Sequence, residues 1–402
     1  MSRSQTFVII GGGLAGAKTA EALRDSDFDG HIVLFAEEEH LPYERPPLSK
    51  DFLAGKKAFD DFTVDRSAWF RDHDVDLRLG TTVTAIDPSA HTVELPDGDT
   101  VHYDKLALAT GSRPRVPQLP GAQAARYLRT IDDARELYSV LHDGTSLAVL
   151  GAGWIGLEVA ATARERGVDV AVVESAELPL LKALGPETGR VFADLHRSRG
   201  VDLRLGAEVA SVSAAGLSLA DGTEVGADTV LVAVGAAPNI ELAEQAGLEL
   251  ADGGVAVDAA LRTSDPDIYA VGDIAAAQHP VLNVRIRTEH WANALKQPAV
   301  AAAGMLGRHA TYDELPYFFT DQYDLGMEYV GHSAGYRRVV FRGDVDAREF
   351  TAFWLGDDNR VLAGMNVNIW DGLDDIKALV RTGTPVDVDA LADPGVKISE
   401  LG

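Results

Sequence analysis

Cysteine is absent from all 402 residues of the sequence. A chain without thiols cannot pass electrons through a redox-active disulfide or a sulfenic acid, so disulfide reductases and cysteine-dependent peroxidases are excluded. A structural disulfide framework is excluded too, which agrees with an intracellular location without proving one. Any redox chemistry must therefore use a bound cofactor and an acceptor outside the chain.

Long apolar runs are missing as well. The longest apolar stretches have the length of strands and fall well short of the ~20 residues that span a membrane. The first of them, Phe7-Val8-Ile9-Ile10, leads directly into Gly11. We therefore expect a first β-strand there instead of a signal peptide, a cytoplasmic location, and no membrane partner.

Basic residues are scarce, since 36 Lys and Arg stand against 62 Asp and Glu for a formal net charge of −26. Nucleic acid and anionic membranes would be repelled, so neither is expected as a partner. Solubility is the simplest explanation of this acidity, and adaptation to a partner or to salt is the alternative. The 11 histidines are scattered without metal-ligand spacing, so no metal site is expected.

What the sequence does contain is one glycine pattern, present twice. The first copy is Gly11-Gly12-Gly13-Leu14-Ala15-Gly16, and the second is Gly151-Ala152-Gly153-Trp154-Ile155-Gly156. Each follows a short apolar run and predicts a strand, a tight turn and a helix whose N-terminus receives a pyrophosphate. Two such sites indicate two dinucleotides, a bound flavin and a nicotinamide that visits.

The similarity of the two halves extends beyond the glycines. The segment Val75-Asp76-Leu77-Arg78-Leu79-Gly80 recurs letter for letter at residues 201–206. In both halves an Asp-Gly pair then predicts a hairpin, and a buried strand that ends at Gly111 or Gly235 follows. A duplicated βαβ unit is the best explanation of these matches.

An acidic residue follows the second predicted strand of each unit. Glu37 lies 21 residues past Gly16, and Glu174 lies 18 residues past Gly156. A carboxylate at this position accepts hydrogen bonds from an adenosine ribose. Glu37 has two glutamate neighbours, so an acidic surface turn is the alternative there. In the second unit the first base after Glu174 is Lys182, so a 2′-phosphate would be repelled and we expect NADH to be preferred over NADPH.

A proline-rich corner, Pro42-Tyr43-Glu44-Arg45-Pro46-Pro47-Leu48-Ser49-Lys50, follows the first unit's second strand. We expect Pro46 to hold Arg45 in an extended conformation and Pro47 to occupy the first turn of a short helix that ends near Gly55. Such a corner would present Arg45 and Lys50 rigidly. A surface loop with solvated charges is the alternative.

Together with this corner, three further motifs resemble the FAD-dependent NADH:ferredoxin reductases of bacterial oxygenase systems, the putidaredoxin reductase and biphenyl dioxygenase reductase type. These motifs are Gly153-Trp154-Ile155-Gly156-Leu157-Glu158-Val159-Ala160, Thr263-Ser264-Asp265-Pro266 with Val271-Gly272-Asp273, and Thr320-Asp321-Gln322-Tyr323. The resemblance covers essentially the whole chain. It implies an α/β, glutathione-reductase-like fold with two Rossmann-type dinucleotide-binding domains and a C-terminal α+β interface domain.

The domains expected on this basis are a discontinuous FAD-binding domain of residues 1–111 and 240–323, an NAD-binding domain of residues 112–239, and a C-terminal domain of residues 324–402. The residues assigned to FAD are Gly11, Gly13, Leu14, Ala15, Gly16, Glu37, Arg45, Lys50, Val83, Ala109, Thr110, Gly111, Arg129, Gly272, Asp273 and Trp291. Those assigned to NAD are Gly151, Gly153, Trp154, Ile155, Gly156, Glu158, Glu174 and Gly235. For Trp291, among the residues assigned to FAD, an ordinary core position is the alternative.

The resemblance also implies an ion pair between Lys50 and Glu158 beside the flavin, and these two are the expected catalytic residues. A carboxylate stabilised at a helix N-terminus is the alternative for Glu158. Where the family often has a tryptophan before the Thr-Asp-Gln motif, this sequence has Phe319. Phenylalanine lacks the indole donor, so a role for tryptophan at that position does not carry over.

The expected function is transfer of electrons from NADH through FAD, one at a time, to a [2Fe–2S] ferredoxin that supplies a cytochrome P450 or a Rieske-type oxygenase. Alternatives are reduction of rubredoxin, a quinone or a small acceptor, and an NADH-sensing flavoprotein like the apoptosis-inducing factors. Ferredoxins are usually acidic, so docking needs a local basic patch. The candidates are Arg285, Arg287, Arg308, Arg337, Arg338 and Arg342, and scattered surface arginines are the alternative.

Overall fold

The structure is a computed structural model that describes residues 5–401. Its strands are β1 (Thr6–Ile10), β2 (His31–Phe35), β3 (Val75–Arg78), β4 (Ala85–Asp87), β5 (Thr92–Glu94), β6 (Thr100–His102), β7 (Lys105–Leu108), β8 (Ser112–Pro114), β9 (Ser146–Leu150), β10 (Asp169–Glu174), β11 (Asp202–Leu205), β12 (Val209–Ser213), β13 (Gly216–Leu219), β14 (Glu224–Gly226), β15 (Thr229–Val232), β16 (Ala236–Pro238), β17 (Leu250–Ala251), β18 (Gly254–Val257), β19 (Ile268–Ala270), β20 (Ala275–His279), β21 (Val284–Ile286), β22 (Tyr317–Gln322), β23 (Leu325–Gly331), β24 (Arg338–Asp344), β25 (Glu349–Leu355) and β26 (Val361–Val367). Its α-helices are α1 (Leu14–Asp25), α2 (Ser67–Asp72), α3 (Ile131–Val140), α4 (Trp154–Glu165), α5 (Leu181–Ser198), α6 (Glu241–Gln245), α7 (Trp291–Met305), α8 (Leu373–Thr382) and α9 (Val388–Ala392). None of the helices within residues 5–401 is both long enough and apolar enough to cross a membrane.

The described chain divides into two compact units, each made of three segments. The first contains residues 5–44, Asp60–Arg113 and Ala236–Pro316. The second contains Arg45–Phe59, Pro114–Gly235 and residues 317–401. The proline-rich corner therefore groups with the second unit.

The first unit is built on a parallel sheet in the order β19-β7-β1-β2-β3. The central strand β1 is almost wholly apolar, as a strand covered on both faces must be, and its residues from Phe7 to Ile10 are buried. The smaller sheets β4-β5-β6 and β17-β18-β20-β21 also belong to this unit. The helix α7 begins after His290.

The second unit repeats this plan. Its parallel sheet has the order β11-β10-β9-β15, which corresponds to β3-β2-β1-β7 of the first unit. The antiparallel sheet β12-β13-β14 likewise corresponds to β4-β5-β6. The repeated letters of residues 75–80 and 201–206 thus lie on equivalent strands, in agreement with the predicted duplication.

The last part of the second unit is an antiparallel sheet in the order β22-β23-β26-β25-β24. Helix α8 places Ile376, Leu379 and Val380 in the core and leaves Asp374 in solvent. A Cβ added at Gly364 would lie 2.5 Å from Cγ2 of Ile376, so the helix approaches the sheet closely at this glycine. The α+β character expected for the C-terminal region is therefore present, with its first strand beginning at Tyr317.

Candidate functional site

The first glycine fingerprint forms a cradle at the end of β1, and three of its four glycines have separate roles. Gly11 has φ +121° and a Cβ there would lie 2.1 Å from the carbonyl oxygen of Ala109. A Cβ on Gly16 would lie 1.9 Å from the carbonyl oxygen of Gly11, so this glycine lets α1 approach the turn. A Cβ on Gly13 would meet nothing within 4 Å. Open space at the helix N-terminus fits a pyrophosphate, which needs the backbone N–H groups uncovered.

Other residues predicted to contact FAD meet at this cradle. Gly272, with φ +75°, lies against Ala15, because a Cβ on Gly272 would lie 3.2 Å from that of Ala15. The adjacent Asp273 is buried, and its carboxylate accepts a hydrogen bond of 2.5 Å from the Ser112 hydroxyl. Gln297 accepts from the Gly272 N–H at 2.7 Å. The structure thus brings Ala15, Gly272 and Asp273 together and holds them with buried hydrogen bonds.

The remaining residues assigned to FAD are divided between the units. Leu14, Val83 and Ala109 are buried in the first unit, and Trp291 opens α7 there with a half-buried side chain. The other predicted contacts of this unit, Glu37, Thr110 and Gly111, follow the carboxyl ends of β2 and β7. Arg45, Lys50 and Arg129 belong to the second unit.

The second fingerprint repeats the cradle. Added Cβ atoms at Gly151 and Gly156 would lie 2.5 Å from the Ala233 oxygen and 2.2 Å from the Gly151 oxygen, whereas one at Gly153 would find its nearest neighbour only at 4.0 Å. Ile155 beside it is 43% exposed, which is unusual for a large aliphatic side chain. Gly235 has φ +110° and no backbone neighbour that would meet a Cβ within 4 Å. This geometry fits a second dinucleotide.

Glu174 is fixed against this second cradle. Its carboxylate accepts from the Ala152 N–H at 2.8 Å and from the Ala176 N–H at 2.9 Å. The first unit differs here, because Ile10 pairs with Phe35 just as Leu150 pairs with Val173. Ala36 therefore occupies the position of Glu174, and the exposed Glu37 stands one residue further along the chain.

The proline-rich corner folds differently from the prediction at Arg45. Arg45 has φ −84° and ψ −26°, in the helical region, so the expected extended conformation is wrong. Its carbonyl accepts from the Leu48 N–H at 3.0 Å, and this local bond outweighs the steric preference imposed by Pro46. Pro46–Ser49 forms a 3₁₀-helix with proline in its first turn, as expected. The short helix that we expected to end near Gly55 therefore stops at Ser49, and the chain continues through turns to Gly55.

The Arg45 guanidinium donates to the carbonyl oxygen of Arg129. Arg129 is itself held by Asp133, whose carboxylate accepts from the Arg129 N–H at 2.9 Å and from the Thr130 N–H at 2.8 Å. Asp133 also completes a capping box with Thr130 at the start of α3. Two residues that are far apart in the sequence and were both assigned to FAD are thus joined within the second unit.

The predicted ion pair between Lys50 and Glu158 is present, with Lys50 Nζ 3.0 Å from Glu158 Oε1. Glu158 is only 3% exposed. It lies beyond the first turn of α4, which begins at Trp154, so the alternative of a carboxylate at the helix N-terminus does not describe it. A buried carboxylate must be paired and hydrogen-bonded to remain ionised.

Sequence reasoning missed the two hydroxyl groups that complete this arrangement. Thr320 donates to Glu158 Oε1 at 2.6 Å, and Ser49 donates to Oε2 at 2.5 Å. Both residues are buried. The Lys50 ammonium also lies 5.3 Å from the ring centroid of Phe319, within range of a cation–π interaction. Phe319 therefore keeps an aromatic contact with the pair although it lacks an indole.

Two further buried residues extend the arrangement. Gln322 Nε2 lies 3.3 Å from Thr320 Oγ1, and Gln322 Oε1 lies 2.8 Å from His196 Nε2. Burial lowers the pKa of His196 to about 4, and its hydrogen bond to Gln322 opposes this shift. Burial likewise raises the pKa of Asp321, which points to the opposite face of β22, while nearby Lys50 lowers it.

The arginines proposed as a docking patch all have partners inside their own unit. These partners are the carbonyls of Val257 and Ala276 for Arg285, the carbonyl of Asp273 and the carboxylate of Glu289 for Arg287, the carbonyl of Ser26 for Arg308, Asp357 for Arg337, Asn359 for Arg338, and the carbonyls of Asp393 and Val396 for Arg342. Residues 5–401 contain no group of three or more His, Asp or Glu side chains that could hold a metal ion.

Comparisons with known proteins cover the chain almost completely. The family model for pyridine nucleotide-disulphide oxidoreductases matches residues 5–298, and a model for the reductase C-terminal domain matches residues 317–402. The ferredoxin–NAD(+) reductase component of the anthranilate 1,2-dioxygenase system of Burkholderia cepacia is 42% identical over 97% of both chains. Putidaredoxin reductase of Pseudomonas putida is 36% identical, over 100% of this chain and 97% of its own length.

Solved structures agree with these matches. The covalent putidaredoxin reductase–putidaredoxin complex contains a chain that matches with a TM-score of 0.94 and 36% identity. The match covers 98% of this chain and 97% of the other. The likeness therefore includes both fingerprints and the C-terminal sheet.

Proposed function

The chain belongs to the pyridine nucleotide-disulphide oxidoreductase family, and on this premise we propose that it passes electrons from NADH through FAD to a [2Fe–2S] ferredoxin. The observation that carries the proposal is the agreement, over nearly the whole of both chains, with a reductase whose complex with its iron–sulfur partner is known. The absence of cysteine adds to it, because no disulfide in this chain can take the electrons. The terminal enzyme that we propose is a cytochrome P450 or a Rieske-type oxygenase.

FAD and NAD(H) are the cofactors, and the two cradles fit them. When bound, FAD supplies the change from two-electron to one-electron transfer. The chain supplies open helix N-termini at Gly13 and Gly153 for the two pyrophosphates. Lys50, held by Glu158, supplies a fixed positive charge, which stabilises negative charge that develops nearby on reduction. Lys50 and Glu158 are therefore the residues that we assign to catalysis.

The expected preference for NADH depends on Glu174. Its carboxylate is already oriented by two backbone N–H groups, so it costs little to present it to a ribose 2′-hydroxyl. A 2′-phosphate at the same place would meet a negative charge, and no arginine or lysine lies between Glu174 and Lys182 to compensate. This specificity is a proposal.

A basic docking patch for the ferredoxin also stays a proposal. The six arginines already bind carbonyls or carboxylates, so a partner would have to compete for them. If they contribute, the KM for ferredoxin must rise with ionic strength. A KM that is the same in low and high salt would exclude the patch and leave the acceptor assignment intact.

The three-domain division into residues 1–111 with 240–323, 112–239 and 324–402 is kept as a proposal. Since Arg45–Phe59 groups with the second unit and the last sheet begins at Tyr317, limited proteolysis should locate the boundaries. A cytoplasmic location is likewise proposed, and cell fractionation tests it.

The decisive experiment uses purified, FAD-loaded protein with NADH and three acceptors, namely a [2Fe–2S] ferredoxin, cytochrome c and a quinone. We expect rapid reduction of cytochrome c only when a [2Fe–2S] ferredoxin is added, because the ferredoxin carries single electrons between the two proteins. Equal reduction of a quinone without ferredoxin would favour the small-acceptor alternative. Slow reduction by NADH with a long-lived, oxygen-resistant reduced state would favour the NADH-sensing alternative.

A further inference from the structure

Five buried or nearly buried side chains form one chain of polar contacts in the second unit. Lys50 Nζ and Thr320 Oγ1 both contact Glu158 Oε1, at 3.0 and 2.6 Å. Thr320 then contacts Gln322 at 3.3 Å, and Gln322 contacts His196 at 2.8 Å. Glu158, Thr320, Gln322 and His196 are each at most 3% exposed, so water does not compete for these bonds.

Hydrogen-bonding chemistry gives this chain a single direction. An ionised carboxylate only accepts, so the Thr320 hydroxyl must donate to Glu158 and can accept from Gln322 through its lone pairs. The Gln322 amide nitrogen therefore faces Thr320, and its carbonyl oxygen faces His196. His196 must then carry its proton on Nε2. Every donor in the chain points toward Glu158.

The other ring nitrogen of His196 shows that this tautomer has a cost. Nδ1 of His196 is buried and has no hydrogen-bond partner. A buried polar atom without a partner is unfavourable, so an apolar ring would suit this position better if packing against Tyr323 were its only role. The donor on Nε2 is the property that an apolar ring could not replace.

We propose that His196 and Gln322 are positioning residues that fix the Thr320 hydroxyl as a donor and thereby hold Glu158 ionised and aimed at Lys50. Neither residue touches the ammonium group, so both act through Glu158. This inference rests on the role proposed for Lys50 and Glu158. It does not depend on which protein accepts the electrons.

Several charged groups surround this chain of polar contacts, and a test must distinguish the loss of a donor from a change in these charges. Glu158 is flanked by Lys50, and Asp321 interacts electrostatically with both of them and with Asp51. His196 packs on the Tyr323 ring, which is itself contacted by Arg199. Variants must therefore remove a single donor and leave these charges in place.

The first test compares His196→Phe with His196→Gln, and adds Gln322→Leu. Phenylalanine keeps a ring against Tyr323 but lacks the donor, whereas glutamine retains an N–H donor. We expect His196→Phe and Gln322→Leu to slow FAD reduction by NADH roughly fivefold, as for one lost hydrogen bond between neutral groups. His196→Gln should stay within about twofold of wild type. Equal losses in both His196 variants would overturn the proposal.

The pH profile of FAD reduction gives a readout that simple loosening of the fold would not change. A carboxylate whose donor is no longer held in place takes up a proton more readily. The acid side of the profile should therefore move to higher pH in Gln322→Leu. A uniformly slower rate with an unchanged profile would contradict the proposed action on Glu158.

A double-mutant comparison tests whether the two residues act through Glu158. In a Glu158→Gln background the carboxylate is already gone, so Gln322→Leu should change the rate less than about twofold. A further loss of roughly fivefold in that background would show that Gln322 acts by another route. Retention of FAD and a cooperative thermal transition identify variants that remain folded.

The histidine tautomer provides a test independent of activity. In ¹⁵N-histidine NMR spectra of the holoenzyme, the signals lost in His196→Gln belong to His196, and they should report a neutral ring protonated on Nε2 near pH 7. Protonation on Nδ1 would overturn the proposal, whatever the rates of FAD reduction in the variants. Failure of ferredoxin reduction with these results intact would reject only the proposed acceptor.

Discussion

The buried His196 should make the stability of the protein depend on pH in a way that one substitution removes. Its pKa falls from 6.5 to about 4 because burial disfavours the imidazolium. The unfolded chain therefore binds this proton first as the pH is lowered. Stability from the neutral ring is fully present above pH ~6.5 and is lost progressively toward pH ~4.

The size of this effect follows from the shift. One pKa unit corresponds to about 1.4 kcal/mol, so the full loss between neutral pH and pH ~4 is about 3 kcal/mol. At pH ~5 about 2 kcal/mol of this is already lost. His196→Gln has no imidazole to bind the proton, so the effect disappears in this variant. Burial raises the pKa of Asp65 to about 7, but Asp65 is present in both proteins, so its contribution cancels when they are compared.

The assay is urea unfolding of wild type and His196→Gln at matched ionic strength, from about pH 7.5 down to about pH 5. The free energy of unfolding of wild type minus that of the variant should decrease by about 2 kcal/mol over this range. A difference that does not change with pH would refute the reasoning. A difference that grows toward low pH would mean that His196 is protonated in the folded protein.

Four further predictions concern the cofactor sites. Glu158→Gln and Lys50→Met should each slow FAD reduction by NADH at least tenfold, because one charge of the buried pair disappears and the other loses its partner. Unchanged rates in stopped-flow measurements would show that the pair has no part in catalysis. Glu174→Gln keeps the side-chain shape but removes the charge, so the ratio of kcat/KM for NADH to that for NADPH should fall at least tenfold. A wild-type protein that uses both nucleotides equally would contradict the assignment of Glu174. At Gly153 there is room for a Cβ, and φ is an ordinary −81°, so Gly153→Ala should leave thermal stability unchanged. The added methyl group would occupy the space expected for the pyrophosphate, so the KM for NADH should rise at least tenfold. An unchanged KM would place the pyrophosphate elsewhere. Gly13→Ala, which has the same room, should likewise fold normally and lose FAD on dialysis, which its absorbance spectrum would show.

The two dinucleotide units could be predicted because their signals are local. A buried strand, a turn that needs glycine and a helix follow each other within about twenty residues, and each element restricts the next. The tight contacts of Gly11 and Gly16 show why only glycine fits there. The Lys50–Glu158 pair is different, since no local rule joins residues 108 positions apart, and only the resemblance to a known family indicated it.

The errors and omissions share a cause. The conformation of Arg45 was predicted from its proline neighbour, but a hydrogen bond from Leu48 decided it. Polar residues at alternate positions of β22, Thr320 and Gln322, were a readable sign of one buried polar face. Nothing near His196 in the sequence indicated that its ring meets Gln322, because that contact depends on how α5 packs against a strand more than a hundred residues away.

The amino-acid sequence alone determined the paired nucleotide cradles, the exclusion of thiol chemistry and the position of the acid beside the second cradle, because these depend on residue type and short-range spacing. Tertiary structure decided which hydroxyls and amides surround the Glu158 carboxylate. Desolvation makes that choice consequential, since a carboxylate removed from water stays charged only when packing delivers donors to both of its oxygens.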